Sequence, residues 1–369
     1  MPPEGVFFER RNVVRDHLAK GWPAGAAFIA ATPPNVYYLT GLWSSNAAVL
    51  IAPDGLDVLC TDGRYAERAR TVASNCEFLT ARGCIPTLIE VCSDRGLRAV
   101  LLEEQLPYGV INSLSKDLPI TTSGALVEQF RLIKDEYEVM ALRRACQITA
   151  EAFTHIASII RVGDTEIAIA RRLEALFGEL GAEDRAFPSI VAAGPNSAVP
   201  HHQPSNRPLE AGDLLVIDAG ALVAGYHADM TRTFSVATAP TAQDAAWQEV
   251  VQRAREAAVA ACMPGTPIDR LDQAAREILD QSPYRGWMHH GLGHGVGLQI
   301  HEAPMLTGGS NHTVRTGMVM AIEPGIYQQG VGGVRIEDSF LVTGDGPQVL
   351  TSLVEVEVDI GIRPVGEAS

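Results

Sequence analysis

Apolar residues recur along the chain with regular spacings that indicate helices and strands. Beyond Lys134 the apolar positions return every three or four residues, at Tyr137, Ala141, Ala145, Ile148, Ala152, Ile156 and Ile159. This spacing predicts a long helix with one buried face. Upstream, residues 46–60 read NAAVLIAPDGLDVLC, two apolar runs around Pro-Asp-Gly that predict a β-hairpin. A second short apolar segment follows at 98–104, RAVLLEE.

These patterns predict two domains, with the boundary just before the long helix. A chain of 369 residues is long enough for two domains and a sizeable core. Residues 1–130 are expected to form an α/β domain of their own. Residues 131–369 are expected to alternate helices with paired strands, and the strands are predicted in four segments: LLVIDAG, HADMTRTFSV, MVMAIEPG and GGVRIEDSFLV. Both strand pairs carry acidic residues, which suggests a duplicated layout.

Capping residues indicate where helices of the second domain begin. Asp164 is expected to cap a helix that runs to Gly181. Thr241 with Asp244 predicts a capping box at the start of the next helix. Thr266, followed by proline, predicts the start of a third helix.

Composition and charge exclude several classes of protein. Apolar residues make up 46% and charged residues 20%, which indicates a globular chain without extended disorder. The net charge is −15 and no run of lysine and arginine occurs, so neither nucleic acid nor an anionic membrane is expected as a partner. No stretch approaches the roughly 20 apolar residues of a membrane span, and the start lacks the apolar centre of a signal peptide. Six cysteines without a CxxC pair predict reduced thiols in a cytoplasmic protein and argue against a cysteine zinc site.

Two aspartates occupy positions that strands usually avoid. Asp218 ends an apolar strand, and Asp229 lies eleven residues further on in the next one. A hairpin would bring the two carboxylates together, although aspartate is depleted in strands and facing like charges repel. One alternative remains open from these two residues alone: one aspartate is a turn residue and the other is solvated.

Two glutamates also lie in or next to apolar strands. Glu323 follows the apolar run MVMAI, and Glu337 lies in VRIEDSF. Alternation places Glu337 on the same strand face as Arg335, with Ile336 and Phe340 on the other face. A surface ion pair would explain the second glutamate but not the first. Four carboxylates at the ends of buried strands, with one nearby arginine, are too much uncompensated charge for a dry core. Two divalent cations would neutralise all four.

The stretch HHGLGHGVGLQIHE, residues 289–302, supplies a nitrogen ligand. It holds four of the ten histidines, and its glycines let backbone approach a site closely. His294, between two glycines, is the expected ligand. A set of two aspartates, one histidine and two glutamates is mostly oxygen, which suits manganese, cobalt or zinc better than copper.

These residues resemble, in order, the motifs of the M24 metallopeptidases, the pita-bread family of methionine aminopeptidases, aminopeptidase P and prolidase. The matching segments are IDAG, HADMTRTF, GHGVGLQIHE, IEPGIY and RIED, which lie between residues 195 and 340. The resemblance implies an α+β pita-bread domain with two divalent ions, of which manganese is favoured and cobalt or zinc are alternatives. It also implies that Asp218 and Glu337 bridge the ions, that Asp229 binds one, and that His294 and Glu323 bind the other.

Three more histidines match positions of the family. His201, in GPNSAVPHH, resembles the histidine that contacts substrate near the scissile bond, and His301 resembles the one that stabilises the tetrahedral intermediate. His290 matches a substrate-binding histidine of the proline-specific branch. No role in binding is predicted for the remaining histidines: His202, His227 and His289 are expected to be structural or exposed, and His17, His155 and His312 are expected on the surface.

The resemblance also implies how the residues share the reaction. Glu323 would take a proton from water and pass it to the leaving nitrogen. His301, together with His201, would donate hydrogen bonds to the developing oxyanion. Arg335 would orient Glu337 without touching the metals.

The first domain narrows the resemblance to one branch of the family. Aminopeptidase P, prolidase and creatinase carry an N-terminal domain of this size, and NVYYLTG and TDGRYAERA resemble its segments. Creatinase lacks the metal ligands, all of which match here. The expected substrates are therefore small peptides with proline at position two, and a homodimer or higher homo-oligomer is expected.

The choice between aminopeptidase and dipeptidase depends on a carboxylate-binding cation. Some prolidases carry an arginine just after HExP, where this chain has Met305, and residues 44–46 offer no cation either. A free carboxylate without a paired cation binds poorly in a closed site. The sequence therefore predicts an Xaa-Pro aminopeptidase, with Xaa-Pro dipeptidase as the alternative, in which Arg64 or Arg68 would serve. A catalytically silent peptide-binding protein of the same fold is the alternative from another class.

Overall fold

The computed structural model describes residues 5–23, 25–73, 75–112, 114, 118–352 and 362–364. The chain divides into two compact units between Arg131 and Leu132. None of the helices in the described ranges combines the length and the apolar character that a bilayer crossing requires.

A mixed sheet lies at the centre of the first unit. Its elements, in chain order, are α1 (Val6–Gly21), β1 (Ala26–Ala30), α2 (Pro33–Thr40), β2 (Ala47–Ile51), β3 (Val58–Thr61), α3 (Ala66–Val72), β4 (Glu77–Thr80), α4 (Cys84–Asp94), β5 (Ala99–Leu102), α5 (Tyr108–Asn112), β6 (Ile120–Thr122) and α6 (Glu128–Arg131). The strand order is β4–β3–β2–β1–β5–β6. The predicted hairpin is confirmed, because β2 and β3 pair antiparallel with Leu50 opposite Val58.

The second unit alternates helices with strand pairs, as the sequence predicts. Its elements are α7 (Glu136–Ile159), α8 (Glu166–Glu179), β7 (Asp184–Arg185), β8 (Ile190–Ala193), a 3₁₀ turn (Gly194–Ala198), β9 (Leu214–Ala219), β10 (Ala221–Val223), β11 (Tyr226–His227), β12 (Met230–Val236), α9 (Ala242–Ala261), α10 (Asp269–Asp280), β13 (Gly293–Gly295), β14 (Glu302–Leu306), β15 (Val319–Ile322), β16 (Gly325–Gln328), β17 (Gly332–Arg335), β18 (Asp338–Thr343), β19 (Gly346–Val349) and β20 (Ile362–Pro364).

Two antiparallel sheets carry the acidic strand pairs. One has the order β20–β12–β9–β8, and the other has the order β14–β13–β15–β18–β19. The four predicted strand segments pair as expected, β9 with β12 and β15 with β18. An isolated bridge between Thr231 and Glu337 links the two sheets, with the Glu337 amide donating to the Thr231 carbonyl at 3.1 Å.

Helix starts follow local capping chemistry, and two predictions needed correction. The capping box of Thr241 and Asp244 is confirmed. Helix α8 is capped by Thr165 rather than by Asp164, because the Asp164 carboxylate accepts from the Arg161 amide in the preceding turn. The Thr266 prediction was wrong by two residues: the Val314 amide donates to the Thr266 carbonyl, so this segment is held in a bridge and α10 begins at Asp269 and not at Pro267.

Two separate cores support the two sheets. Helices α7 and α8 pack their apolar faces against β8, β9 and β12, with Phe153, Phe177 and Ile217 fully buried. Helices α9 and α10 pack against β15 and β18, with Trp247 and Phe340 buried. Each buried apolar side chain of this size stabilises the fold by roughly 1.5–3 kcal/mol. Both sheets are therefore held in place by their apolar faces, whatever happens on the polar faces that line the cavity.

Candidate metal centre

A cavity of about 310 Å³ lies in the second unit. Its walls include every residue for which the sequence predicts a role in metal binding or chemistry, namely Asp218, Asp229, His294, Glu323, Glu337, His201, His290, His301 and Arg335. Apolar side chains also line it, among them Phe187, Ile190 and Ile300. The cavity therefore combines convergent polar groups with apolar side chains, the usual composition of a small-molecule site.

Strand ends bring the four carboxylates together. Asp218 is the second-to-last residue of β9. Because side chains alternate along a strand, the Asp218 side chain points away from the face that carries Ile217 and packs against α7 and α8. Asp229 directly precedes β12, Glu323 directly follows β15, and Glu337 lies in the step between β17 and β18. The bridge between the two sheets thus places acids from both strand pairs around one cavity.

Glycines explain how His294 enters this site. A side chain at Gly293 would collide with the Ala321 carbonyl oxygen, and one at Gly295 would collide with the Ala303 carbonyl oxygen. Only glycine therefore allows β13 to run so close to its neighbours on both sides of the histidine. His294 is 4% exposed in consequence.

The His294 ring presents its lone pair to carboxylates. Its Nδ1 donates to the Gly295 carbonyl at 3.1 Å, because a carbonyl oxygen only accepts. Burial lowers the pKa of His294 to about 4, so the ring is neutral near pH 7. Its Nε2 then carries a lone pair and lies 3.5 Å from Asp229 Oδ2 and 3.7 Å from Glu323 Oε1. A lone pair that faces carboxylate oxygens calls for a cation between them.

The carboxylates lack sufficient positive partners among the described residues. Burial and then the neighbouring carboxylates raise the pKa of Asp229 and of Glu337 well above the ordinary value. Asp218 Oδ1 is buried without a hydrogen-bond partner. Ligand atoms of Asp229, His294 and Glu337 all lie within 4.8 Å of one another. This donor set, mostly oxygen with one imidazole, fits a divalent cation.

Arg335 compensates part of the charge of these carboxylates. Its guanidinium donates to Asp218 Oδ2 at 2.7 Å and to the Tyr327 hydroxyl at 2.9 Å. It reaches Glu337 only through Thr231, whose Oγ accepts from Arg335 Nε at 3.1 Å and donates to Glu337 Oε2 at 2.6 Å. Tyr327 and Thr231 were not identified from the sequence, because neither residue type signals a metal site.

His290 and His301 lie beside the carboxylates in different surroundings. Burial lowers the pKa of His290 to about 4, and its Nε2 accepts from the Tyr327 hydroxyl at 3.0 Å. Burial also lowers the pKa of His301, whose ring stands edge-on to His294 with centroids 4.3 Å apart. Both rings are therefore neutral near pH 7, and the two nitrogens of His290 are already engaged by the Gly291 carbonyl and the Tyr327 hydroxyl.

The remaining histidines fall mostly where the sequence predicts. His227 is structural, because both its amide and its Nδ1 contact the Gly297 carbonyl, at 2.9 and 3.0 Å. His202 lines the cavity as well as bonding the buried Glu166, so its structural assignment was incomplete. The exposed histidines are His17, His155, His289 and His312.

Four carboxylates and a neutral histidine around one cavity define the class of metal-dependent hydrolases. Residues 140–344 match metallopeptidase family M24, and residues 21–133 match the creatinase/prolidase N-terminal domain. The chain belongs to metallopeptidase family M24, and membership in this family implies divalent metal ions. The fold prediction, an α/β N-terminal domain followed by a pita-bread catalytic domain, is confirmed.

Proteins similar to this chain include Xaa-Pro dipeptidases and an X-Pro aminopeptidase. The Xaa-Pro dipeptidase of Pyrococcus horikoshii is 35% identical over 329 residues, which is 88% of this chain and 92% of the relative. The solved Xaa-Pro dipeptidase from Bacillus anthracis has a TM-score of 0.88 at 32% identity and covers 94% of this chain and 97% of its own. The X-Pro aminopeptidase from Thermotoga maritima has a TM-score of 0.87 at 30% identity, with 94% and 98% covered.

Proposed function

We propose that this metallopeptidase is an Xaa-Pro dipeptidase, which hydrolyses the bond between an N-terminal residue and a C-terminal proline. The observation that carries the proposal is the set of strand-end carboxylates and His294 around a cavity of about 310 Å³, near the lower end of ligand-site sizes. The names of the relatives favour a dipeptidase. The aminopeptidase that the sequence predicts has weaker support and becomes the second candidate.

The ligands and the metals are proposed as the resemblance implies. Asp218, Asp229, His294, Glu323 and Glu337 would together hold two divalent ions. When bound, the two ions activate water and polarise the scissile carbonyl. Manganese is the proposed metal, with cobalt and zinc as alternatives that the oxygen-rich donor set also suits.

The protein's own groups move the proton and hold the substrate. Glu323 lies 3.7 Å from His294 Nε2, at the edge of the ligand cluster, where its second oxygen accepts a proton from water and returns it to the proline nitrogen. His301 and His201 donate hydrogen bonds to the carbonyl oxygen as it gains charge. His290, whose two ring nitrogens are held by the Gly291 carbonyl and the Tyr327 hydroxyl, lines the cavity and would contact the substrate through its ring.

One observation favours the aminopeptidase as second candidate. Among the described residues that line the cavity, Arg335 is the one cation, and Asp218 already engages it. Met305, where some prolidases carry an arginine, pairs with His294 across β13 and β14, is 48% exposed and supplies no cation. A dipeptidase therefore needs another cation for the substrate carboxylate. The proposed source is Arg68, or Arg64 if it leaves Asp62, with which it pairs at 2.7 Å, from this chain or from a partner copy.

Three matched substrates test the proposal: Ala-Pro, its neutral amide and Ala-Pro-Ala, each with manganese, cobalt or zinc. A dipeptidase should lose roughly 10- to 150-fold in kcat/KM when the carboxylate is amidated, because a charged hydrogen bond contributes about 1.5–3 kcal/mol. A preference for the tripeptide, with little effect of amidation on Ala-Pro, supports the aminopeptidase. If no substrate is cleaved with any metal, the chain is a silent peptide-binding member of the family.

A further inference from the structure

Outside the proposed ligands, the buried carboxylate of Glu166 receives an unusual number of hydrogen bonds. Its Oε1 accepts from the Ala193 amide at 2.8 Å and from Asn196 Nδ2 at 3.0 Å. Its Oε2 accepts from His202 Nε2 at 2.9 Å, and from the Ser205 amide and hydroxyl at 2.9 and 2.6 Å. Glu166 itself is fully buried in the first turn of α8.

All five donors belong to one segment, residues 193–205. The same segment supplies a continuous part of the cavity wall, residues 200–204, which includes His201. A single carboxylate thus joins both ends of the segment to α8, which the second unit's core holds in place. The backbone adds one more bond, from the Ile167 amide to the Ser205 carbonyl at 3.1 Å.

Glu166 is ionised at neutral pH. Burial by itself would raise its pKa. The hydrogen bonds from Ser205, Asn196, Ala193 and His202 together lower the pKa by more than burial raises it, so the net shift is downward. An ionised carboxylate only accepts hydrogen bonds, and His202 therefore donates its Nε2 proton. The charge strengthens all five bonds relative to bonds between neutral groups.

We infer that Glu166 is a positioning residue, which fixes segment 193–205 so that His201 stands at the reacting carbonyl. Glu166 does not line the cavity, so it acts through the segment and not on the substrate. The inference rests on the proposed function, because the role of His201 as a donor to the substrate is part of that function.

The test begins with Glu166→Gln and a matched control, Glu179→Gln. In glutamine one of the two carboxylate oxygens becomes an amide nitrogen, which donates hydrogen bonds and cannot accept them. The two donors on Oε1 or the three donors on Oε2 then lose their acceptor, and that part of the segment must move away from α8. The control makes the same change on α8 at an exposed side chain. Misplacement of a catalytic group by about 1 Å can cost roughly 100-fold, so we expect kcat/KM to fall by about 10- to 100-fold for Glu166→Gln alone.

A double-mutant cycle separates positioning of His201 from a general structural role. In a His201→Ala background, Glu166→Gln should cost less than about threefold, because the group that it positions is already absent. Equal losses in both backgrounds would overturn the inference. Affinity for manganese should stay within about twofold of wild type, since none of the proposed ligands lies in segment 193–205, and a larger loss would also overturn it.

Hydrogen exchange gives a readout that does not depend on catalysis. Amides of residues 193–205 should exchange faster in Glu166→Gln than in Glu179→Gln, while those of α9 and α10 stay unchanged. Equal exchange in both variants would overturn the inference even if wild type cleaves none of the peptides, a result that by itself rejects only the proposed function. If Glu166→Gln does not fold, Ser205→Ala removes one of the five bonds and should show the same changes to a smaller extent.

Discussion

Thr231 connects Arg335 to the carboxylate of Glu337, and one substitution removes the hydroxyl that makes the connection. Thr231→Val keeps the branched shape of a fully buried side chain. It deletes the hydroxyl that accepts from Arg335 Nε and donates to Glu337 Oε2. Glu337 then keeps its place on the chain but loses the hydrogen bond that orients its carboxylate.

The expected loss of metal affinity follows from the charge on Glu337. A hydrogen bond to a charged group contributes about 1.5–3 kcal/mol, which corresponds to a loss of roughly 10- to 150-fold in metal affinity. Loss of a group that orients a metal ligand typically costs 10- to 100-fold, which agrees. Burial and the neighbouring carboxylates raise the pKa of Glu337, so the ionised form is unfavourable until cations balance its charge. The loss should therefore fall on metal binding more than on the metal-free fold.

Titration calorimetry of manganese into metal-free protein measures the effect directly. Thr149→Val is the matched control, since Thr149 is equally buried and its hydroxyl donates to the Ala145 carbonyl at 2.9 Å and accepts from the Ala221 amide at 3.0 Å. Both partners are neutral, so the control should cost about 1 kcal/mol of unfolding free energy and leave manganese affinity within about twofold.

Two outcomes would refute the reasoning. If Thr231→Val bound manganese as tightly as wild type, the contact from Arg335 through Thr231 would not orient Glu337. If both variants lost affinity equally, the effect would come from removing a buried hydroxyl from this unit and not from the charge that the hydroxyl contacts.

Two further predictions concern metal and pH. Exhaustive chelation should abolish peptide cleavage and leave most of the helical circular dichroism, and full activity after metal removal would contradict a metal-dependent mechanism. The pKa of Glu166 is lowered, so its contribution to stability is complete above the unfolded-state pKa of about 4.3 and is lost as the pH falls through the lower folded-state pKa. The difference in unfolding free energy between wild type and Glu166→Gln, measured in urea, should therefore be largest at neutral pH and shrink in acid. A constant difference from pH 7 to pH 3 would contradict this assignment.

The carboxylates around the cavity could be predicted because they break a local rule. Acids at the ends of apolar runs are unfavourable in strands, and the violation is visible within ten residues of sequence. The period of two also predicted correctly that Ile336 and Phe340 join the core while Arg335 and Glu337 turn to the cavity. Local periodicity was sufficient for these features because strand alternation needs no knowledge of distant partners.

The groups that hold these side chains in place could not be predicted in the same way. Thr231 and Glu337 are 106 residues apart in the chain, and their hydrogen bond exists only once the two sheets meet. Glu166 looks like an ordinary acid in the first turn of a helix, where it is favourable without any further partner. Nothing in the local pattern distinguishes it from an exposed acid, because its donors come 27 to 39 residues later.

The balance of charge explains why the fold and the activity should respond differently to loss of metal. The two cores hold the sheets through apolar side chains that face away from the cavity, so the carboxylates are positioned before any cation binds. Without cations, burial raises the pKa of Asp229 and of Glu337, and protons can then neutralise what the metals no longer do. A proton removes the repulsion between neighbouring carboxylates, and the domain can remain folded. A proton cannot polarise a carbonyl or activate water as a divalent ion does. Removal of the metals should therefore abolish catalysis while the domain stays folded.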